Sequence, residues 1–218
     1  MKTVAIIPAR GGSKGIKDKN IIDLNGMPLI YYSLKECFAC KEIDYVALTT
    51  DSEKIANIAE NLFPNIIIIK RPMELALDNS TSEDALEHAI IELDKQIDEI
   101  KNILFVQSTS PLTDNKDFSS ILKILKNKDS AMFYTEDYGH FFEIDDMRKP
   151  RIPRQQRKPL TREAGNAWAF DKKGFLKYKS RLFGNIGLCK IDFVKSYEID
   201  EVEDLLLMKC LMQNNDNS

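Results

Sequence analysis

A chain of 218 residues with 43% hydrophobic and 30% charged residues has the length and balance of one globular α/β domain, whose core needs no disulfide or metal. The formal net charge of −3 argues against a general nucleic-acid binder, which usually carries a strong basic excess. The longest apolar runs, such as 66–69, are too short to cross a bilayer, and no signal-peptide cleavage site follows the first apolar segment. We therefore expect a cytoplasmic protein with no membrane or nucleic-acid partner.

The first half of the chain alternates between strand and helix patterns. Apolar, β-branched segments predict strands at 3–8, 45–50, 66–69 and 103–107. Helical spacing predicts helices at 29–38, 53–62, 83–93 and 117–125, the second of them capped by Asp51 and Ser52. This rhythm predicts an α/β fold with a doubly wound, mostly parallel sheet. Ligands of such sheets bind beyond the carboxyl ends of the strands, so the loops that directly follow the strands should form the site.

The segment 136–161 interrupts the alternation. It carries three prolines and many Lys and Arg residues, and its aromatic and charged residues lack a helical period. We predict an excursion from the sheet, of hairpin-like form, before the apolar pattern resumes at 166–170. The acidic segment 198–204 then leads into a last helix. The whole chain, 1–218, is predicted to be a single domain with this excursion as a small lobe.

Four cysteines include a C-x-x-C pair, Cys37 and Cys40, within a predicted helix. A zinc site would require a second such pair or nearby histidines, and a redox role is the other alternative. Neither has support in the flanking sequence. Buried free thiols in a reducing compartment are the favoured interpretation.

A Gly-rich, cationic segment, Pro8–Asn20, follows the first strand directly. Two glycines, Gly11 and Gly12, allow a tight turn that presents backbone N–H groups to an anion. Arg10, Lys14 and Lys19 add positive charge and Ser13 adds a hydroxyl donor. The segment matches neither the Walker A loop nor G-x-G-x-x-G. It predicts a polyphosphate cradle; the alternative is an ordinary strand-to-helix turn with solvated lysines.

Two carboxylates near the end of the chain, Glu198 and Asp200, lie two residues apart. On an extended segment both would face the same side, where they could meet one metal ion or flank one hydroxyl. The alternative is an acidic turn that caps the last helix, a role we expect for Glu201, Glu203 and Asp204. From the spacing alone, the capping role is favoured.

These motifs resemble, in order, those of the acylneuraminate cytidylyltransferases, the CMP-sialic acid synthetases. ARGGSKGIKDKN resembles the nucleotide-binding signature of that family. Further segments match its R-P-x-x-L-A-x-D, L-Q-P-T-S-P-L-R, P-R-Q-x-x-P and D-I-D-x-x-x-D-L motifs: RPMELALDNSTS (71–82), FVQSTSPLT (105–113), PRQQRKP (153–159) and YEIDEVEDL (197–205). The similarity extends from residue 2 to about residue 210.

The resemblance implies a function and a set of roles. The family transfers CMP from CTP to the anomeric hydroxyl of a sialic-acid-type nonulosonic acid, such as N-acetylneuraminate or legionaminate, for cell-surface glycan synthesis. Pyrophosphate is released, Mg²⁺ is the cofactor, and the lobe at 136–161 would support a homodimer. The implied nucleotide-binding residues are Arg10, Gly11, Gly12, Ser13, Lys14, Lys19, Asn20, Arg71, Ser80 and Ser82. The implied acceptor-binding residues are Gln107, Arg162 and Asn166. The implied metal ligands are Glu198 and Asp200, and Arg10, Lys19 and Asp200 would be catalytic.

The chain departs from the family pattern mainly on the acceptor side. Glu198 stands where the family usually has Asp, Ser108 replaces a proline, Thr113 replaces an arginine, and the order of Gly165 and Asn166 is reversed. Two alternatives therefore stay open. One is a cytidylyltransferase with a different anionic acceptor, such as another keto-deoxy sugar acid or a phosphonate. The other is a nucleotide-binding regulator without turnover.

Overall fold

Apolar strand segments and amphipathic helices alternate in the computed structural model, which describes residues 1–77, 79–141 and 150–215. The strands are β1 (Lys2–Pro8), β2 (Asp23–Leu24), β3 (Met27–Pro28), β4 (Tyr45–Thr50), β5 (Ile67–Lys70), β6 (Ile100–Val106), β7 (Ser130–Asp137), β8 (Leu160–Asp171) and β9 (Ile186–Lys190). The helices are α1 (Leu29–Ala39), α2 (Glu53–Leu62), α3 (Ser82–Asp94), α4 (Asn115–Leu125), α5 (Lys172–Tyr178) and α6 (Val202–Asn215).

Seven strands form one sheet in the order β5-β4-β1-β6-β8-β7-β9. Strand β1 pairs in parallel with β4 and β6, whereas β8 runs antiparallel to β6 and β7. The strand order reverses on either side of β1, so the carboxyl ends of β1, β4 and β6 open together at a switch point. The predicted doubly wound, mostly parallel sheet is confirmed.

Both faces of the sheet are covered by helices, which explains why β1 is apolar at every central position. Ala5 and Ile7 pack into a core on the side of α1, α2 and α4, while Val4 and Ile6 pack into a core on the side of α3 and α5. All four side chains are fully buried. Burying one such Ile side chain stabilises the fold by about 1.5–3 kcal/mol. A third, smaller core holds α6 near the loop that follows β1.

Helices that begin beside the sheet edge are capped by side chains. Ser52 Oγ accepts the Ile55 N–H at the start of α2, as predicted. Asp51, the other predicted cap, instead accepts the N–H of Gly11 from the loop after β1. At α3, Thr81 and Asp84 form a reciprocal capping box, which fixes the first turn of that helix.

The second half of the sheet differs from the sequence prediction. Strands β7 and β9 and helix α5 were not predicted, and β8 begins at 160 rather than 166. The outer part of the β7–β8 ladder pairs Asp137 with Leu160 beyond the buried sheet, so apolar alternation is lost there. The predicted excursion therefore shortens to the connection between β7 and β8. Its residues 142–149 lie outside the described residues, and a separate lobe stays a prediction.

Three of the four cysteines, Cys37, Cys40 and Cys189, are buried free thiols, and Cys210 is exposed. Burial raises the pKa of Cys40 and Cys189 to about 11, which keeps these thiols protonated at neutral pH. Within the described residues, no three His, Cys, Asp or Glu side chains converge on a possible metal position. The zinc and redox alternatives thus gain no support. None of the described helices combines the length and apolarity that crossing a membrane requires.

Candidate active site

A cleft of about 530 Å³ opens at the carboxyl ends of β1 and β6. It is lined by the loop after β1, the segment between β5 and the first turns of α3, the loop after β6, and the start of the acidic segment before α6. The predicted site residues that line it are Arg10, Ser13, Lys14, Lys19, Asn20, Arg71, Ser80, Ser82, Gln107 and Asp200. Gly11, Gly12, Arg162, Asn166 and Glu198 are not in the lining.

Asn20 connects two of the loops that form the cleft. Its Nδ2 donates to the carbonyl oxygen of Arg10 at 3.0 Å, and its Oδ1 accepts from Ser108 Oγ at 2.6 Å. Both Asn20 and Ser108 are buried. Buried polar groups of this kind stabilise a structure only when paired, and here the pairing ties the β1 loop to the β6 loop. Asn20 therefore supports the cradle as well as lining it.

Gly11 serves loop packing. Its N–H donates to Asp51 Oδ1 at 3.0 Å, and a Cβ at this position would lie 3.1 Å from Ser52 Cβ. In this structure a carboxylate therefore accepts the Gly11 N–H, and a contact between Gly11 and a phosphate stays a prediction. Gly12 is exposed, and within the described part of the chain no atom would lie within 4 Å of an added Cβ.

Arg71 forms a fixed positive wall of the cleft. Its Nη2 donates to the Thr49 carbonyl at 2.6 Å and its Nε to Thr49 Oγ1 at 3.3 Å, which anchors the guanidinium to the end of β4. Burial lowers the Arg71 pKa, Asp51 opposes that shift and Arg10 adds to it. A guanidinium stays protonated in proteins, so Arg71 and Arg10 hold two positive charges beside one cleft.

The acidic segment before α6 is held to the β6 loop by its backbone. The Ile199 N–H donates to the Thr109 carbonyl at 2.9 Å, and the Ile199 side chain is fully buried in the third core. Glu198 and Asp200 flank this buried residue in sequence, and of the two only Asp200 lines the cleft. Burial and then the negative charge of Asp200 raise the pKa of Glu198, a sign that the two carboxylates are close.

Lys19 pairs with Asp200 across the cleft, at 2.8 Å from Nζ to Oδ1. The helix cap is supplied by a different residue, because Asp204 Oδ2 accepts the backbone N–H groups of Asp200 and Glu201. The capping role, which the spacing alone favours for Glu198 and Asp200, thus belongs to Asp204. Their side chains are available for another role, and a lysine ammonium already lies against one of them.

The donor chemistry of this pair fits Mg²⁺, which binds in proteins through one or two carboxylates together with phosphate oxygens. Two carboxylates lie next to a cradle of positive charge, and the Lys19 ammonium occupies a cation position beside Asp200. Because no three His, Cys, Asp or Glu side chains converge on a metal position among the described residues, further ligands would have to come from a nucleotide or from water.

Two glycines make room for this acidic segment. A Cβ on Gly15 would lie 2.5 Å from the carbonyl oxygen of Asp200, and a Cβ on Gly165 would overlap Glu198 Oε1. The Gly165 N–H also hydrogen-bonds to the Glu198 carboxylate. The longer side chain of Glu198 is therefore accommodated by the glycine at 165.

Replacing Gly165 with alanine should displace the Glu198 carboxylate, because the backbone of residue 165 belongs to β8 and cannot shift without disturbing that strand. Overpacking of this kind costs about 1–3 kcal/mol of unfolding free energy. Thermal unfolding measures the change, and Gly12→Ala, which adds its methyl group to open space, is the matched stability control. An unchanged melting temperature for Gly165→Ala would contradict the close packing of Gly165 against Glu198.

Asn166, predicted to bind the acceptor, is fully buried and joins three segments. Its Nδ2 donates to Thr113 Oγ1 and to the Lys195 carbonyl, both at 2.7 Å. These contacts give Asn166 a structural role, and its predicted contact with the acceptor stays a prediction. The contact with Thr113 also explains why a threonine stands at position 113 in place of the arginine of the family pattern, because the side chains of Thr113 and Asn166 are hydrogen-bonded to each other.

Arg162 lies outside the cleft lining and is exposed. Its Nη2 donates to Ser196 Oγ at 2.8 Å, and its guanidinium lies over the Phe193 ring at 5.3 Å from the centroid. Its positive charge lowers the pKa of Glu198, although burial has the larger, opposite effect. Arg162 is thus close enough to Glu198 to affect its charge, although it does not line the cleft.

Several residues that build the cleft escaped the sequence prediction: Thr49, Asp51, Ser108 and Thr109. All four lie at or just after the ends of β4 and β6, so their positions follow from the predicted sheet. Their roles depend on which loop faces which, and no local pattern carries that information.

Comparison with known proteins identifies the family to which this chain belongs. A family model described as cytidylyltransferase matches residues 4–184. An N-acylneuraminate cytidylyltransferase of Escherichia coli is 29% identical over 97% of this chain, which spans about half (52%) of that relative. A pseudaminic acid cytidylyltransferase of Campylobacter jejuni is 31% identical over 83% of this chain and 71% of its own length.

A solved structure of a CMP:2-keto-3-deoxy-manno-octonic acid synthetase complexed with CTP shares the fold. It superposes with a TM-score of 0.75, covering 99% of this chain and 100% of that one, at 15% identity. The likeness confirms the α/β nucleotidyltransferase architecture. With most of its length matched by the family model and by relatives of the expected type, the chain belongs to the cytidylyltransferase family of nucleotidyltransferases.

Proposed function

We propose that this chain transfers CMP from CTP to the anomeric hydroxyl of a sialic-acid-type nonulosonic acid, with release of pyrophosphate. The observation that carries the proposal is the convergence of Arg10 and Lys19 with the carboxylate of Asp200 on one cleft. The names of the relatives support an acceptor of the N-acylneuraminate or pseudaminic acid class. Legionaminate, a sugar acid of the same kind, is a further candidate.

Transfer to the α-phosphate needs in-line positioning and neutralisation of the charge that builds on the leaving pyrophosphate. Arg10, Lys14 and Lys19 line the cleft as positive charges, and Ser13 adds a hydroxyl donor. These residues would bind the triphosphate, and Arg71, Ser80 and Ser82 would hold the rest of the nucleotide. In this assignment, Lys19 exchanges its contact with Asp200 for one with a phosphate.

Glu198 and Asp200 would hold Mg²⁺ beside the phosphates. When bound, that ion would lower the charge on the α-phosphate and assist deprotonation of the acceptor hydroxyl. The two carboxylates would fix its place relative to the triphosphate. Lys19 would no longer need to neutralise Asp200, which leaves its charge for the pyrophosphate.

Gln107 lines the cleft directly after β6, and its Oε1 accepts from Thr109 Oγ1 at 3.3 Å, which orients the amide. We assign Gln107 to the acceptor. We assign Arg162 to attracting the acceptor carboxylate rather than to holding it in the bound state. Its charge lies near Glu198, but the residue does not line the cleft.

Pyrophosphate release with CTP and a panel of acceptors tests the function. The panel contains N-acetylneuraminate, legionaminate, pseudaminate, a keto-deoxy octonate and a phosphonate. Release with one or more nonulosonic acids, and with CTP well above UTP or ATP, is the expected result. Release only with the octonate or the phosphonate would move the acceptor to another class, and CTP binding without release from any acceptor would indicate a regulator.

A homodimer is the quaternary state we propose, for an enzyme acting in the cytoplasm as a single domain. Exposed apolar side chains on the β7–β8 connection, at the start of β8 and on the edge strand β9 support it; these are Phe141, Ile152, Leu160, Ile186 and Leu188. Apolar surface of this kind is common at interfaces between protein copies. Light scattering at micromolar concentration should give about twice the 25.0 kDa chain mass. A monomer, or a dimer that persists unchanged in Leu188→Glu, would contradict this placement of the interface.

A further inference from the structure

Arg181, in the loop between α5 and β9, reaches under the floor of the cleft. Its guanidinium carbon lies 4.5 Å from the centroid of the Trp168 ring and 4.9 Å from that of Phe105. The two rings stack on each other at 5.1 Å with 19° between their planes. Trp168 and Phe105 are almost fully buried, and Phe105 also lines the cleft.

The same guanidinium grips the first turn of α3. Its Nε donates to Glu83 Oε1 at 2.7 Å and its Nη2 to Glu83 Oε2 at 3.1 Å. Burial alone would raise the pKa of Glu83, but the paired guanidinium outweighs it and holds that pKa below its ordinary value. Glu83 is therefore charged, and the pair is a two-point contact between a planar cation and a carboxylate.

Both partners of Arg181 adjoin surfaces that a ligand in the cleft would touch. Glu83 lies between Ser82 and the next lining residue of α3, Ala85, and Phe105 forms part of the floor. The Arg181 side chain thus fixes the distance between Phe105 and the first turn of α3. Arg181 stacks on the aromatic rings and at the same time makes two hydrogen bonds to the Glu83 carboxylate. Both contacts together require a planar guanidinium, so lysine cannot replace arginine here.

We propose that Arg181 is a positioning residue for the nucleotide, which it does not touch: it holds the first turn of α3 against the Phe105–Trp168 stack and so sets the wall of the CTP cleft. The proposal rests on the proposed function, since it takes the cleft to bind CTP. Losing a preorganised wall raises the cost of ordering it at each binding event, which weakens affinity without removing a group from the reacting atoms.

The test is CTP affinity by calorimetry, with amide hydrogen exchange of α3. Arg181→Met should raise the CTP dissociation constant about 10-fold, the usual effect of one or two side chains losing their preorganisation. Exchange at residues 83–87 should quicken, while kcat at saturating CTP should change by less than about twofold. Arg181→Lys keeps the charge but loses stacking and the fork, and should fall between Met and wild type.

Lys179→Met is the matched control. Lys179 lies in the same loop region and pairs with Glu87, one turn further along α3 and outside the cleft lining. The Lys179→Met variant should leave both the CTP affinity and the amide exchange at residues 83–87 unchanged. If Arg181→Met fails to fold by circular dichroism, Glu83→Gln replaces it with the same expected rise in the dissociation constant.

The outcomes separate the two proposals. A wild-type protein that does not bind CTP overturns the proposed function and this inference with it. A wild type that binds CTP, together with folded Arg181→Met or Glu83→Gln variants of unchanged affinity, overturns only the role of Arg181. An equal loss of affinity in Lys179→Met would show a general effect of loosening α3, which also overturns it.

Discussion

Replacing Arg10 with alanine is expected to cut turnover at saturating CTP by roughly 100- to 1000-fold, or about 2.7–4 kcal/mol of transition-state stabilisation. The reason lies in the placement of the residue. Arg10 follows β1 directly, lines the cleft, and has its carbonyl oxygen fixed by Asn20. Its backbone is thereby fixed at the cleft, so that its guanidinium can reach charge that develops on the triphosphate during transfer.

Pyrophosphate release under single-turnover conditions measures this loss apart from product release. Lys17→Ala is the matched control, because Lys17 is an exposed cation of the same loop that does not line the cleft. It should react at nearly the wild-type rate. Turnover of Arg10→Ala equal to wild type at saturating CTP would remove Arg10 from the triphosphate site.

Asp200→Asn is expected to raise the Mg²⁺ concentration needed for half-maximal rate and to lower the rate at saturating Mg²⁺. Metal affinity should fall by at least about 10-fold, the lower end of the loss seen even for partners outside the ligands themselves. The fold should survive, because the Asp200 side chain is two-thirds exposed (67%) and the helix cap is Asp204. Manganese binding to the CTP complex, followed by electron paramagnetic resonance, gives a readout independent of turnover.

Two further variants sharpen this prediction. Glu203→Gln removes an exposed carboxylate from the first turn of α6, outside the cleft lining. It should change neither the dependence of the rate on Mg²⁺ nor the binding of manganese. Glu198→Asp restores the side chain that the family usually carries and should be tolerated. Identical Mg²⁺ curves for Asp200→Asn and wild type would mean that nucleotide phosphates alone hold the ion.

The sequence predicts the core half of this sheet well because each of β1, β4, β5 and β6 carries its own apolar signal. The half that includes β7 and β9 lacks such a signal for physical reasons. Buried Ser130 opens β7, where its Oγ is satisfied by the Phe183 carbonyl, and exposed Ile186 and Leu188 of β9 blur the alternation. Only the pairing of distant segments shows these strands.

The site divides in the same way. The cationic loop and the Glu198–Asp200 spacing are local patterns, so they can be predicted from the sequence. The pairing of Thr113 with Asn166, the fit of Gly165 to Glu198 and the grip of Arg181 on Glu83 all join residues far apart in the chain. Asn166 shows the limit most clearly, because its motif suggests a ligand contact, whereas the structure shows it buried and bonded to Thr113 and to the Lys195 carbonyl.

The ion pair between Lys19 and Asp200 joins residues 181 positions apart. A ribosome that adds 5–20 residues per second needs roughly 10–40 s to travel from one to the other. During that interval the parallel strands can already pair, and the cationic loop stands exposed without its acidic partner. The cleft described here is therefore complete only once both of these distant segments have been made and have folded together.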